Sequence, residues 1–468
     1  MEIDHAPNRT RRWLRGIAAS WALGLAVALG ANAVPAVADP VAVQPAPVIP
    51  LPPELDPGFY RPPADVVAQT APGGIIAVRQ ITAANLSVFP LEVDAWQVSY
   101  RSNDSRDQPI AAVATLLKPR GSSPVPRKLL SVQMAEDSTA GYCSSSYAVQ
   151  HLSAALLGGQ IVEPAEFVFA DAALQQGWAV VIPDHEGPES AYAAGPLGGR
   201  ITLDGIRAAI GFSPLEVDST SPVGMYGYSG GSIPTGHAAE LHRSYAPELN
   251  IVAAAEGGVG ADLGAALTMA DNQATSGLVL GAIIGLAREY PDFAAYLDSH
   301  LDPLGRALVA IKSPLCVQYQ SAILPFLNDK GLIHTDGDPL ADPPVAAMLE
   351  DTRLGKTLPD MPLFIWHSAW DEILPLYSTD SLVDTYCAQP GASVHYTRDH
   401  GGEHIIGEIV GGPAAILWLR DRLDGIPADP GCTTEDTPTM LATPGELPFV
   451  QSVLGETVAS LFGKAIGR

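Results

Sequence analysis

Short apolar runs alternate along this chain with amphipathic stretches, and turn residues separate them. Ile110–Leu117, Leu129–Gln133, Ala179–Pro183, Val223–Tyr228, Ile251–Ala255, Leu363–Trp366 and Ser393–Tyr396 each predict a strand, the last being the final strand of the series. Most are apolar at consecutive positions rather than at every second one, as expected of strands buried on both faces of a parallel sheet. Between them, Phe167–Gln176 predicts a helix ended by Gly177-Trp178. Further helices are predicted from Ser232 towards Tyr245, through Leu382 and Tyr386, and over Ala414–Leu423. Strands alternating with helices argue an α/β fold with a mostly parallel sheet covered on both faces.

The alternation stops over 257–350. That interval has helix-like runs at Leu278–Leu286 and Pro303–Ala310 and no clear strand. It reads as a helical cap inserted on the loop edge of the sheet, the alternative being further helices of the main domain. The apolar residues of 278–287 either line an acyl tunnel or pack inside the cap. In the tail, Val450, Val453, Leu454, Val458 and Leu461 fall on one helical stripe, which predicts a helix docked on the body rather than on lipid. No internal repeat is evident.

The N-terminus sets the compartment. Arg9, Arg11, Arg12 and Arg15 precede an apolar run, 17–30, and Ala36-Val37-Ala38 forms a cleavage pattern before Asp39. This is the form of a signal peptide; the run is shorter than the roughly 20 residues a bilayer span needs. Arg11-Arg12 hints at twin-arginine export. The implied organisation is a signal peptide over 1–38, a Pro-rich arm over 39–63, a core over 64–256 and 351–432, the cap over 257–350 and a tail over 433–468. The arm is either a wall-spanning linker or a strap on the domain surface. The product is expected outside the cell or in its envelope.

Composition narrows the function classes. The 468 residues carry a formal net charge of −25, which excludes the basic footprint of a nucleic-acid binder. Only 16% are charged and 47% are hydrophobic, which excludes an acidic disordered chain. The four cysteines have no C-x-x-C spacing, and His185-Glu186 has no second histidine four residues on, so no metal or other cofactor is expected. In an oxidising compartment four cysteines allow two disulfides in three pairings.

The chemistry centres on Gly227-Tyr-Ser229-Gly-Gly231, a G-x-S-x-G between a predicted strand and a predicted helix. That setting is what a nucleophile elbow requires, and its glycines are needed because a Cβ would crowd the tight turn. A serine hydroxyl needs a base, and the base an orienting acid, in the chain order Ser, acid, His. Asp371 lies just past the strand Leu363–Trp366 and is the first choice for the acid, with Glu372 second. Asp380 reads as a solvated or capping residue of the next helix. Past Ser393–Tyr396, His400 and His404 compete as base; His404 stands where a helix begins and is preferred. His185, His237 and His367 read as hydrogen-bonded structural histidines. Oxyanion donors are expected from the Gly230 backbone and from the loop after Leu129–Gln133, where the Asp137 backbone, helped by its side chain, is the candidate.

These residues, together with Asp56-Pro-Gly-Phe-Tyr-Arg-Pro-Pro63, Asp137-Ser-Thr-Ala-Gly-Tyr-Cys143, Asp184-His-Glu-Gly187, Phe364–Glu372 and Glu403–Glu408, resemble the secreted lipase A family of yeasts and actinobacteria. The resemblance spans about residues 56 to 432 and is weakest in the cap. It implies an α/β-hydrolase with a helical cap that hydrolyses triacylglycerols or other carboxylic esters. It implies Ser229 as nucleophile, Asp371 as acid, His404 as base, and Asp137 and Gly230 as oxyanion donors. It also implies disulfides Cys143–Cys316 and Cys387–Cys432. The expected partners are a lipid or small ester substrate and, transiently through the cap, a lipid interface; nothing bears on oligomeric state. An envelope acyltransferase using the same triad, and a catalytically silent hydrolase fold used for binding, remain as alternatives.

Overall fold

The computed structural model describes residues 42–467; the signal peptide read over 1–38 lies outside the described residues. Eleven strands form one sheet. In chain order they are β1 (Val43–Pro45), β2 (Ile75–Gln80), β3 (Val93–Asn103), β4 (Pro109–Pro119), β5 (Leu129–Gln133), β6 (Ala179–Pro183), β7 (Val223–Tyr228), β8 (Ile251–Gly257), β9 (Leu363–Ser368), β10 (Ser393–Asp399) and β11 (Gly431–Thr437). Their spatial order is β1-β2-β3-β4-β6-β5-β7-β8-β9-β10-β11. From β6 to β11 every neighbouring pair is parallel, and β2–β3, β3–β4 and β4–β6 are antiparallel. The fold is that of an α/β hydrolase.

Every residue of β5, β6, β7 and β9 is buried, which explains their unbroken apolar runs. Alternate side chains divide between two cores. Leu129, Val223, Met225, Leu363 and Ile365 face one cluster, which also holds Leu197, Ile201, Ala238 and Leu382. These come from helices α2 (Gly195–Gly211), α3 (Ser232–Tyr245) and α10 (Leu376–Cys387). Leu130, Val132, Tyr226, Phe364 and Trp366 face the other, packed by α1 (Val162–Gln175) and α11 (His404–Leu423). Trp366 is fully buried there, and its ring lies against Gly257 and Gly411, where a Cβ would overlap it.

Between β8 and β9 the described residues form helices α4 (Leu263–Ala270), α5 (Ser276–Glu289), α6 (Pro291–His300), α7 (Pro303–Lys312), α8 (Val317–Ala322) and α9 (Pro343–Thr352), with no strand. Leu278, Leu286, Phe293 and Met348 of this interval share a core with Ile233 of α3 and with Tyr192. The Lys312 ammonium is buried inside it and donates to the carbonyls of Gly277, Gln320 and Ile323 at 2.5, 2.6 and 3.2 Å. Those bonds tie α5, α7 and α8 together.

The structure departs from the sequence expectations at its edges. Ser393–Tyr396 is not the final strand: β10 runs on to Asp399, and β11 pairs beside it in parallel, crossing the boundary placed at 432. The Gly431–Thr437 segment is polar and exposed, so it lacked the apolar signature by which the other strands were found. Helix α11 begins at His404, where a helix start was read, and continues through Pro413 into the stretch 414–423 predicted as a separate helix. In the Pro-rich arm, Val43–Pro45 pairs with Val78–Gln80, and Asp56 forms an ion pair with Arg79, so this stretch lies on the domain. The tail helix, α12 (Glu446–Ser460), docks on α1, with Gln175 donating to the Val453 carbonyl at 3.0 Å. Of its predicted stripe Val453 is buried, whereas Leu454, Val458 and Leu461 are exposed.

Both disulfides expected from the resemblance are present, Cys143–Cys316 and Cys387–Cys432. Cys143–Cys316 closes a loop of sequence separation 173 and joins the segment after β5 to the segment before α8. Replacing Cys143 and Cys316 together by Ala should cost about 3–5 kcal/mol in urea denaturation. A loss below about 1 kcal/mol would mean that packing alone fixes this junction.

Candidate active site

Ser229 sits at the turn between β7 and α3 with φ 51°, a left-handed conformation that a serine adopts only under constraint. The constraint is the packing of its neighbours. A Cβ on Gly227 would overlap the Gly231 carbonyl oxygen and Thr235 Oγ1, and one on Gly231 would overlap the Gln133 carbonyl oxygen. The chain can therefore turn this sharply only with both glycines in place. Ser232 Oγ donates to the Ser229 carbonyl at 2.5 Å and closes the turn.

Three predicted residues meet at this point. The His404 Nδ1–H donates to Asp371 Oδ2 at 2.6 Å, which leaves Nε2 to accept the Ser229 hydroxyl at 2.7 Å. The His404 ring is held from behind by Tyr228, whose hydroxyl donates to the His404 carbonyl at 2.6 Å. Asp371 has no exposed side-chain surface. Its Oδ1 accepts the backbone N–H groups of Ile373 and Leu374 at 2.9 and 2.7 Å. Burial pushes the Asp371 carboxyl up, but the His404 charge and hydrogen bonds from His367 and His404 outweigh it and hold it well below the usual carboxylate range. Burial lowers His404, and the Asp371 charge and hydrogen bond more than reverse this, leaving it above the ordinary histidine value.

The competing candidates lie elsewhere. Glu372 accepts the backbone N–H of His404 at 3.2 Å and does not bond its ring. His400 is half exposed and bonds Asp436 at 2.8 Å. Asp380 is not a cap: it lies inside α10, paired with Arg398 at 2.9 Å and bonded by Tyr396 at 2.8 Å. His185 bonds the Met134 carbonyl at 2.7 Å and His237 the Ile233 carbonyl at 2.9 Å, and burial lowers both to about 4. His367, read as structural, also reaches the Asp371 carboxylate, at 3.3 Å. Its place near the end of a strand gave no hint of that contact.

Asp137 and Gly230 are in direct contact: a Cβ on Gly230 would overlap Asp137 Oδ1. Asp137 has φ 43°, and among the described residues no hydrogen bond occupies its backbone N–H. Its carboxyl is pushed up to about 7 by burial, against the pull of the His404 charge. An apolar cavity opens from Ser229 and Gly230 and is lined by Ile233, Leu263, Leu267, Leu278, Val279, Leu286 and Leu374. Leu267, Val279 and Leu286 also line a second apolar cavity, among α5, α6 and α9. A larger cavity of about 450 Å³, of mixed polar and apolar lining, lies by Glu136, Asp184, Glu186 and Arg288, but it lacks the serine. Among the described residues no group of histidine, cysteine and carboxylate side chains is placed to hold a metal ion.

A family model described as secretory lipase matches residues 153–431. Lipase A of Arthroderma benhamiae is 38% identical to this chain over 428 residues, covering 89% of it and 90% of that protein. The chain belongs to the secretory lipase family. As a secretory lipase it is a carboxylic ester hydrolase. The X-ray structure of Candida antarctica lipase A superposes on it with a TM-score of 0.78 and 29% identity, covering 89% of this chain and 99% of that one. A probable inactive lipase of Mycobacterium tuberculosis is 34% identical, covering 81% of this chain and 84% of that one.

Buried carboxyls surround the site of this lipase. Burial pushes Glu136, in the loop after β5, and Glu256, at the end of β8, up to about 8. Such groups are protonated in the fold and ionised in the unfolded chain above about pH 4, so the stability they contribute at low pH disappears as pH rises through 8. Asp371 has the opposite sign, and its contribution is lost only below about pH 4. His185 and His237 are neutral in both states above about pH 7. The melting temperature should therefore fall between about pH 7 and about pH 9. A constant or rising value by calorimetry would mean that these carboxyls are ionised in the fold.

Proposed function

We propose that this lipase cleaves fatty-acyl esters through an acyl-enzyme on Ser229. The observation that carries the reading is the unbroken Ser229–His404–Asp371 hydrogen-bond chain at the mouth of an apolar cavity. His404 Nε2 takes the hydroxyl proton as Ser229 Oγ attacks the ester carbonyl carbon. The carbonyl oxygen becomes an oxyanion held by the N–H groups of Gly230 and Asp137. The tetrahedral adduct collapses, the C–O bond to the alcohol breaks, and His404 returns the proton to the leaving alcohol. Water then attacks the acyl-enzyme with His404 again as base, releasing the fatty acid and restoring Ser229. Asp371 keeps the proton on Nδ1 and stabilises the imidazolium.

The helices between β8 and β9 act in this reading as a cap, and the acyl chain runs from Ser229 into the cavity beneath them. The two cavities that share Leu267, Val279 and Leu286 support a chain of more than a few carbons. The protein works after export, and transient contact of the cap with a lipid surface brings substrate to the cavity. Among the described residues no helix is long and apolar enough to cross a membrane.

The resemblance to a probable inactive lipase makes silence the competing reading, and labelling by a serine-directed phosphonate separates the two. Ser229→Ala should abolish hydrolysis of p-nitrophenyl esters and phosphonate labelling while the protein still folds; retained turnover would remove this mechanism. The acid limb of kcat/KM should lie above the ordinary histidine value, because only neutral His404 accepts the serine proton and its imidazolium is stabilised. Val279→Trp, adding bulk at a residue that lines both cavities, should lower activity on long acyl chains about tenfold or more while sparing short ones. An equal loss at all chain lengths would place the acyl chain elsewhere.

A further inference from the structure

We propose that His367 is a positioning residue of the site, a second imidazole donor to Asp371 that fixes where this carboxylate sits and how strongly it draws the His404 proton. The assignment rests on the triad reading above. His367 lies in β9, four residues before Asp371, with no exposed side-chain surface. Its Nδ1 receives the backbone N–H of Val259 at 3.2 Å. A backbone amide can only donate, so Nδ1 is an acceptor, and the imidazole proton is on Nε2. That Nε2–H faces two acceptors, the Leu374 carbonyl oxygen at 3.0 Å and Asp371 Oδ2 at 3.3 Å. The Thr379 hydroxyl also bonds Nδ1, at 2.9 Å.

The consequence is geometric. Oδ2 of Asp371 is held between two imidazoles, His404 at 2.6 Å and His367 at 3.3 Å. His367 is itself clamped by the loop after β8, by α10 and by the loop that carries Asp371. One ring thus ties the acid to the loop after β8 and to α10 as well as to its own loop. It also stabilises the carboxylate anion independently of His404. Without that donor Oδ2 is the stronger base, and it holds the His404 proton more tightly. Glu372, Glu408 and Asp137 also face His404 and stay unchanged in the test.

The two nitrogens of His367 can be separated by substitution. His367→Asn keeps an acceptor for Val259 and lacks the atom facing Asp371. His367→Gln keeps a donor for Asp371 and lacks the acceptor. With p-nitrophenyl ester as substrate, His367→Asn should move the acid limb of kcat/KM up by about half a pH unit or more. It should also lower kcat about tenfold with little change in KM. His367→Gln should keep the wild-type limb. A role confined to packing predicts lower thermal stability in both variants and an unmoved limb in both, and that result would overturn the assignment. If neither variant folds, ¹⁵N-labelled histidine in the wild-type protein decides: a proton on His367 Nδ1 overturns the assignment and a proton on Nε2 supports it. Ser229→Ala is the control. If it retains activity, the triad reading itself fails; if it is inactive while His367→Asn matches wild type, only the His367 assignment fails.

Discussion

A carboxylate with no exposed surface must find every hydrogen-bond donor inside the protein, and Asp371 is such a group. The loop after β9 turns back so that the Ile373 and Leu374 amides reach one oxygen. His404 is brought to the other from the start of α11, and His367 from the strand itself. Meeting this one demand places the end of β9, the first residue of α11 and the loop after β8 relative to one another. The imidazole of His404 then has one free nitrogen, and it points at Ser229.

The serine is held from the opposite side by backbone crowding rather than by charge. Its left-handed φ is maintained because the chain on either side approaches other backbone so closely that only glycine fits. The same closeness brings the Asp137 side chain, in the loop after β5, against Gly230, directly after the serine. Strain in the backbone at Ser229 and burial of charge at Asp371 are both unfavourable alone. They persist because the two-sided core of the sheet over-determines the positions of β5, β7, β8 and β9.

Over this edge lie the helices between β8 and β9, which carry their own apolar core and contribute the lining beyond Gly230. Within that interval the Lys312 ammonium is met locally by three carbonyls. The cavity at the serine is left lined almost wholly by aliphatic side chains, so water has few partners there.

Much of this was legible in the residues. Strands buried on both faces read as unbroken apolar runs, and β5, β6 and β7 were found with their observed bounds. The elbow was legible because tight turns and nucleophiles require rare residue combinations close together in sequence. Asp371 and His404, which the fold brings together, were legible because they follow strand ends, although the choice between His400 and His404 needed the helix start as a guide. β11 was missed because an exposed edge strand buries nothing and carries no apolar pattern. The helical stripe of the tail was only partly buried because packing against α1, not periodicity, selects which face is covered. The role of His367 was invisible because a buried histidine in a strand reads the same whether its nitrogens meet carbonyls or a carboxylate. Local composition thus determined the elements, the elbow and the order of Ser229, Asp371 and His404. The tertiary structure alone decided which polar atoms meet, because hydrogen bonds between residues 33 or 175 positions apart depend on where the sheet delivers its strand ends.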